Sequence, residues 1–96
     1  MDQITLTHNA ADNRYEVRKD GAVAAHADYD LADGIVVLIH TKVLPAHEGQ
    51  GLASKLAKFA LDDVRRRGLK VTPQCEFMAT YVERHPEYAE LVCAGG

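Results

Sequence analysis

From the amino terminus, apolar and polar residues alternate with a period of two. Ile4 and Leu6 alternate with Thr5 and Thr7, then Tyr15 and Val17 with Arg14, Glu16 and Arg18. Such alternation predicts strands with one buried face. Asn9 to Asn13 reads as the turn between them, and Asp20-Gly21 is a dipeptide favoured in type I′ hairpin turns, where both central residues need positive φ. In the third strand that follows, Val23, Ala25, Ala27 and Tyr29 are expected on one face, with Ala24, His26, Asp28 and Asp30 on the other. Asp33-Gly34 repeats the turn signal. Beyond it, Ile35-Val36-Val37-Leu38-Ile39 is a continuous branched run, which predicts a central fourth strand covered on both faces.

At Gly51 the period changes. Leu52, Leu56, Phe59, Ala60 and Val64 form one helical stripe, with Ser54, Lys55, Lys58, Asp62, Arg65 and Arg66 opposite. Arg65-Arg66-Arg67 complements the helix dipole in the last turn, and Gly68 suits the residue that ends it. Leu69-Lys70-Val71-Thr72 reads as a short fifth strand closed by Pro73. A strand-helix-strand crossover within one sheet puts strands four and five parallel. From Cys75 to Cys93 a helix built on Phe77, Met78, Tyr81 and Val82 is interrupted at His85-Pro86; Tyr88, Leu91 and Val92 hold the last turn, and Ala94-Gly95-Gly96 is read as a frayed tail. The expected fold class is α/β, with an α+β-like sheet. One domain over residues 1–96 holds five mostly antiparallel strands, one long crossover helix and one or two C-terminal helices.

Composition narrows the function classes. A chain of 96 residues with 47% hydrophobic content suits a single core. Its formal charge of −3, with basic residues scattered outside Arg65-Arg66-Arg67, argues against nucleic acid as a partner. No apolar run approaches the roughly 18 residues of a membrane span, and Met1 to Thr5 does not open a signal peptide, so a cytoplasmic protein without a membrane partner is expected. Two cysteines, Cys75 and Cys93, are too few for a disulfide framework. Each is then packing or chemistry.

The stretch from Val43 to Ser54 carries an apolar strand into a glycine turn and a helix, the outline of a phosphate cradle. Three phosphate-binding patterns compete for it. A P-loop needs Gly, four residues, then Gly-Lys-Ser/Thr, which is absent. In a dinucleotide fingerprint, Ser54 would replace the third glycine and no acid closes the next strand at Thr72. The third is the acyl-CoA pyrophosphate loop, Gln/Arg-x-x-Gly-x-Gly/Ala, and Glu48-Gly49-Gln50-Gly51-Leu52-Ala53 resembles it. Together with His40-Thr41-x-Val43, Val71-x-Pro73-x-Cys75-x-Phe77 and His85-Pro86-Glu87-Tyr88, it makes nearly the whole chain resemble the small single-domain branch of the GNAT superfamily of acyl-CoA N-acyltransferases.

That resemblance implies an N-acetyltransferase that uses acetyl-CoA as cosubstrate and an unidentified amine as acceptor. The amides of Gly49, Gln50, Gly51, Leu52 and Ala53 would bind the pyrophosphate, with Ser54 in the same helical turn and His47 near enough to meet a phosphate. The pantetheine would lie where strands four and five splay, pairing with backbone from Thr41 to Val43. Tyr81 either borders the CoA channel or packs. Glu48 departs from the family pattern, being an anion where Gln or Arg is usual. The helices and late strands that build an acceptor pocket in larger relatives have no counterpart in this sequence.

Acyl transfer to an amine needs a deprotonated attacker, a polarised thioester oxygen and a protonated leaving thiolate. The fourth strand ends His40-Thr41-Lys42-Val43 without an acid, so His40 is the candidate base; strict alternation would instead bury it on the face of Val36 and Leu38. Cys75, at the start of a helix just after Pro73, is the candidate nucleophile through an acetyl-cysteine, against the alternative of a small packed thiol. Cys75, His85 and Cys93 lack metal-ligand spacing, and no metal is expected. The other reading of the same cradle is a CoA-binding module without turnover.

Overall fold

The computed structural model describes residues 4–49 and 51–92. Five strands form one sheet in chain order: β1 (Ile4–Asn9), β2 (Arg14–Lys19), β3 (Ala22–Ala32), β4 (Ile35–Val43) and β5 (Lys70–Pro73). The first four are antiparallel; β4 and β5 are parallel, joined through helix α1 (Leu52–Arg66). Helix α2 (Glu76–Arg84) and a 3₁₀ turn, Pro86–Leu91, complete the described chain. The turns follow the local chemistry. Asp20 and Gly21 have φ of 52° and 85°, as a two-residue I′ hairpin demands, and Asp33 and Gly34 repeat this.

The core lies on one side of the sheet. α1 turns Leu52, Leu56, Ala57, Ala60, Leu61 and Val64 onto Tyr15, Val17, Ala25, Ala27 and Tyr29, all buried. α2 adds Met78 and Val82 to the same core, and Tyr88 donates from its hydroxyl to Asp62 at 2.7 Å while the Arg65 guanidinium lies 5.1 Å from its ring centroid. Arg66 and Arg67 do more than complement the helix dipole. They pair with buried Asp63, which also accepts from the Tyr15 hydroxyl at 2.8 Å. Burial pushes the Asp63 pKa up, but Tyr15 and Arg67 donate to the carboxylate and leave it below its ordinary value.

Two bulges correct the strict alternation expected of β3 and β4. Between Val17 and Arg18 the β2–β3 register slips, so Ala24 and Ala25 are both buried, and Val23 pairs with Arg18 rather than sharing the face of Ala25, Ala27 and Tyr29. In β4, Leu38 pairs with Tyr29 and His40 with Asp28, leaving Ile39 as the extra residue. Thr41, opposite buried Ala27, returns to the core face, while His40 turns to the other face and is exposed, not buried beside Val36 and Leu38. Nor is β4 covered on both sides. Val36 and Leu38 are buried, but Ile39 is 43% exposed, because among the described residues no helix packs on the outer face.

On that outer face Glu16 is 1% exposed, held by Arg14 Nε at 2.6 Å, Arg18 Nη2 at 2.9 Å and the Asn9 amide at 3.1 Å. Burial pushes its pKa up, but these three donors outweigh it and bring it to about 2, against 4.5 for a free side chain. Because the folded value is depressed, this stabilisation is complete above the unfolded pKa and is lost as pH falls from about 4.5 toward 2. After screening by water around the two arginines it amounts to on the order of 2 kcal/mol. Circular dichroism melts at pH 7 and pH 3 should therefore show a larger fall in Tm for the native chain than for Glu16→Gln; equal falls would refute the assignment.

Candidate active site

The parallel pairing of β4 with β5 is short. It runs from Ile35 opposite Lys70 to Leu38 opposite Pro73, and the Cys75 amide then donates to the Leu38 carbonyl at 2.9 Å. Past this point β4 continues along β3 to Val43 with no fifth strand beside it. Two local causes produce the splay: the Ile39 bulge bends β4, and Pro73, which has no amide hydrogen, ends β5.

At the mouth of the splay the Cys75 thiol donates to the Thr41 hydroxyl at 3.3 Å. Cys75 is the N-cap residue of α2. Burial pushes its thiol up, but the Thr41 hydroxyl and the backbone amides of Met78 and Phe77 favour the thiolate more strongly, leaving the pKa below its ordinary value. His40 lies next to Thr41 in sequence but on the opposite face, so the structure joins Cys75 to Thr41 and not to His40.

A cavity of about 380 Å³ adjoins the splay, lined by Val43, His47, Gly49, Gly51, Leu52, Ala53 and Ser54, with Glu48 at its exposed rim. Gly51 is the N-cap of α1 with φ of 72°, and no side chain caps this helix end. The first amides of α1 therefore lack helical partners and bear the positive end of its dipole. Gly49 and Gly51 both line the cavity, and the space in their Cβ directions is open. The Nδ1 atom of His47 is buried without a hydrogen-bond partner. An orphaned imidazole nitrogen, unpaired amides and a glycine-lined wall together fit a phosphate-bearing ligand.

The structure thus gathers Val43, His47, Gly49, Gly51, Leu52, Ala53 and Ser54 around one cavity and sets Thr41 and Cys75 beside the splay. Gln50 lies outside the described residues, as do Cys93 and the tail after it. Tyr81 does not line the cavity; it stacks on His85 at 3.9 Å, whose Nδ1 donates to the Tyr81 carbonyl. Sequence reasoning missed Phe77, which closes the cavity while 37% exposed. Its signal was present, since Phe77 follows the N-cap Cys75 by two residues, but the helical stripe assigned it to the core. No group of three or more His, Cys, Asp or Glu among the described residues is arranged to hold a metal ion, and no described helix is long and apolar enough to cross a membrane.

Residues 14–91 match the family described as GCN5-related N-acetyl-transferase. The chain is 36% identical over 87 residues to the protein NATD1 of Mus musculus, covering 86% of this chain and 77% of that one. The Homo sapiens NATD1 is also 36% identical, with 86% and 75% covered. Among solved structures, a GCN5-like protein from Staphylococcus aureus superposes with a TM-score of 0.73 at 22% identity, covering 97% of this chain and 91% of that one. The ribosomal-protein-S18-alanine N-acetyltransferase of Escherichia coli gives 0.65 at 16% identity, covering 88% and 76%. At those identities the two structures bear on the fold alone.

Proposed function

The chain belongs to the GCN5-related N-acetyltransferase family, and from that premise we propose that it transfers the acetyl group of acetyl-CoA to an amine by way of Cys75. The observation that carries this reading is the spacing along β4 and α2: Val43 and Phe77 line the cavity that holds the α1 amides and His47, and Thr41 and Cys75, two residues before each of them, form the pair at the splay.

The residues divide the work. The amides of Leu52 to Ser54, the Gly49–Gly51 turn and His47 would hold the pyrophosphate, and Phe77 and Val43 would exclude water from the ligand's stem. Acetyl-CoA supplies an activated acyl thioester. The Cys75 thiol, which donates to the Thr41 hydroxyl in the free protein, would give its proton to solvent; the hydroxyl would then turn to donate to the thiolate, which attacks the acetyl carbonyl carbon. A new C–S bond forms as the C–S bond to CoA breaks, and the CoA thiolate takes a proton from solvent. The neutral acceptor amine then attacks acetyl-Cys75, a C–N bond forms as the C–S bond to Cys75 breaks, and the proton lost by the nitrogen goes to the departing Cys75 thiolate.

Incubation with acetyl-CoA followed by intact-mass analysis should show a single acetyl adduct that is absent from Cys75→Ala. Adding an amine should discharge it with release of N-acetylated product. An adduct that persists in Cys75→Ala would refute the acyl-cysteine. The uncovered outer face favours a second reading, a CoA-binding module without turnover, because among the described residues nothing there encloses an acceptor. Tight acetyl-CoA binding with neither adduct nor CoA release would favour that reading.

A further inference from the structure

Cys75 is the one cysteine among the described residues, so no second thiol there stands ready to resolve an oxidised form of it. Its sulfur is half-buried at the N-cap of α2, 3.3 Å from the Thr41 hydroxyl. Burial raises the thiol's pKa, but the Thr41 hydroxyl and the amides of Met78 and Phe77 bring it below its ordinary value, which enlarges the thiolate fraction. A thiolate attacks disulfides as well as thioesters. What can select the disulfide is the cavity nearby. Its wall carries Val43 and Phe77, the glycines before α1, and His47, whose Nδ1 is buried with no hydrogen-bond partner. That orphaned nitrogen and the uncapped amides of α1 point to a phosphate-bearing ligand independently of the thiol.

We propose that Cys75 is also a site of reversible modification by coenzyme A: the phosphate-binding cavity delivers CoA disulfide to the thiol, and the resulting Cys75–CoA mixed disulfide closes the site to acetyl-CoA. The inference rests on the acetyl-transfer reading, because both need the sulfur end of the ligand to reach the splay. Bonds and electrons balance. The Cys75 thiolate attacks one sulfur of CoA disulfide, a bond from Sγ to that sulfur forms, and the S–S bond of the disulfide breaks. The second CoA leaves as a thiolate and takes a proton from solvent. Cys75 is oxidised to the disulfide level and the departing CoA is reduced, so no other oxidant enters; a dithiol reverses the exchange. Binding through the phosphates raises the concentration of CoA disulfide beside Cys75. Glutathione disulfide carries no phosphate and gains nothing from the cavity. Acetyl-CoA and CoA disulfide thus compete for one thiol: the first leaves an acetyl group that an amine discharges, the second a cap that a thiol removes.

The test uses the whole chain with CoA disulfide and glutathione disulfide at equal concentration, the adducts being followed by intact mass and peptide mapping. CoA disulfide should modify Cys75 at least tenfold faster than glutathione disulfide does. Dithiothreitol should restore the native mass with release of CoA. The adduct should be absent from Cys75→Ser and unchanged in Cys93→Ser. Adenosine 3′,5′-bisphosphate, which carries the nucleotide end of CoA without its thiol, should slow the reaction with CoA disulfide and not that with glutathione disulfide. The modified chain should no longer take an acetyl group from acetyl-CoA. Equal rates for the two disulfides, a CoA adduct on Cys93 alone, or an internal Cys75–Cys93 disulfide in place of the adduct would overturn the inference. Acetylation of Cys75 without selective modification by CoA disulfide would overturn it while sparing the acetyl-cysteine. Selective modification without acetylation would uphold it and remove the acetyl-cysteine; equal rates together with no acetyl-CoA binding in calorimetry would remove both.

Discussion

Gly51→Val is expected to lower acetyl-CoA affinity on the order of a hundredfold, because the branched side chain enters the phosphate cradle and disturbs the helix end that forms it. Two charge-assisted hydrogen bonds to phosphate, at about 1.5 kcal/mol each, account for a factor of that size. The substitution acts twice. Gly51 has φ of 72°, where a β-branched residue is strained by about 1–3 kcal/mol, so the turn shifts; and Gly51 lines the cavity, so the valine would take volume from the proposed ligand site. Gly51→Ala carries backbone strain with less bulk and should fall between the native chain and valine. Calorimetric titration well below Tm separates the binding loss from destabilisation. Unchanged affinity in the valine variant would show that the pyrophosphate binds elsewhere.

Asp63→Ala should cost about 3 kcal/mol of folding free energy, because it removes a buried carboxylate that accepts from a buried tyrosine and from two arginines that reach solvent. Its carboxylate is the acceptor for the Tyr15 hydroxyl, which is fully buried, and for Arg66 and Arg67; His8 Nδ1 lies 3.6 Å away. Removing it strands the Tyr15 hydroxyl, whose lost partner alone costs about 1–3 kcal/mol. For a domain of this size, each kcal/mol moves Tm by about 4–8 °C, so a fall of at least about 10 °C is expected in a thermal melt. Combining Tyr15→Phe with Asp63→Ala should cost less than the sum of the two, because the phenylalanine leaves no hydroxyl to strand. A Tm unchanged by Asp63→Ala would show that the network adds nothing to stability.

Much of this arrangement was legible in the residues, for identifiable reasons. The Asp20-Gly21 and Asp33-Gly34 turns, the period of α1 and the parallel β4–β5 pair follow from local rules that tertiary contacts did not override. The glycine turn that opens α1 was legible because its glycines and the following helix are contiguous in sequence. What escaped was set by bulges. One extra residue at Ile39 sent His40 to the outer face and Thr41 to Cys75, and one at Ala24 displaced Val23; alternation contains no signal for either. The buried charges escaped as well. Asp63 and Glu16 look like surface acids until the arginines that hold them are placed by fold and register. Asp28 illustrates the remaining difficulty: 12 positions separate it from His40, and only the hairpin register makes them neighbours.

The central claim is that acetyl-CoA occupies the cavity under Gly51 and reaches the splay at Thr41 and Cys75. Amide chemical-shift mapping of the isotopically labelled chain titrated with acetyl-CoA tests it most directly. The largest shifts are predicted at Gly49, Gly51 to Ser54, Thr41, Val43 and Cys75. Shifts confined to the separate groove of Leu6, Lys55, Lys58, Phe59 and Asp62, or none at millimolar ligand, would contradict it.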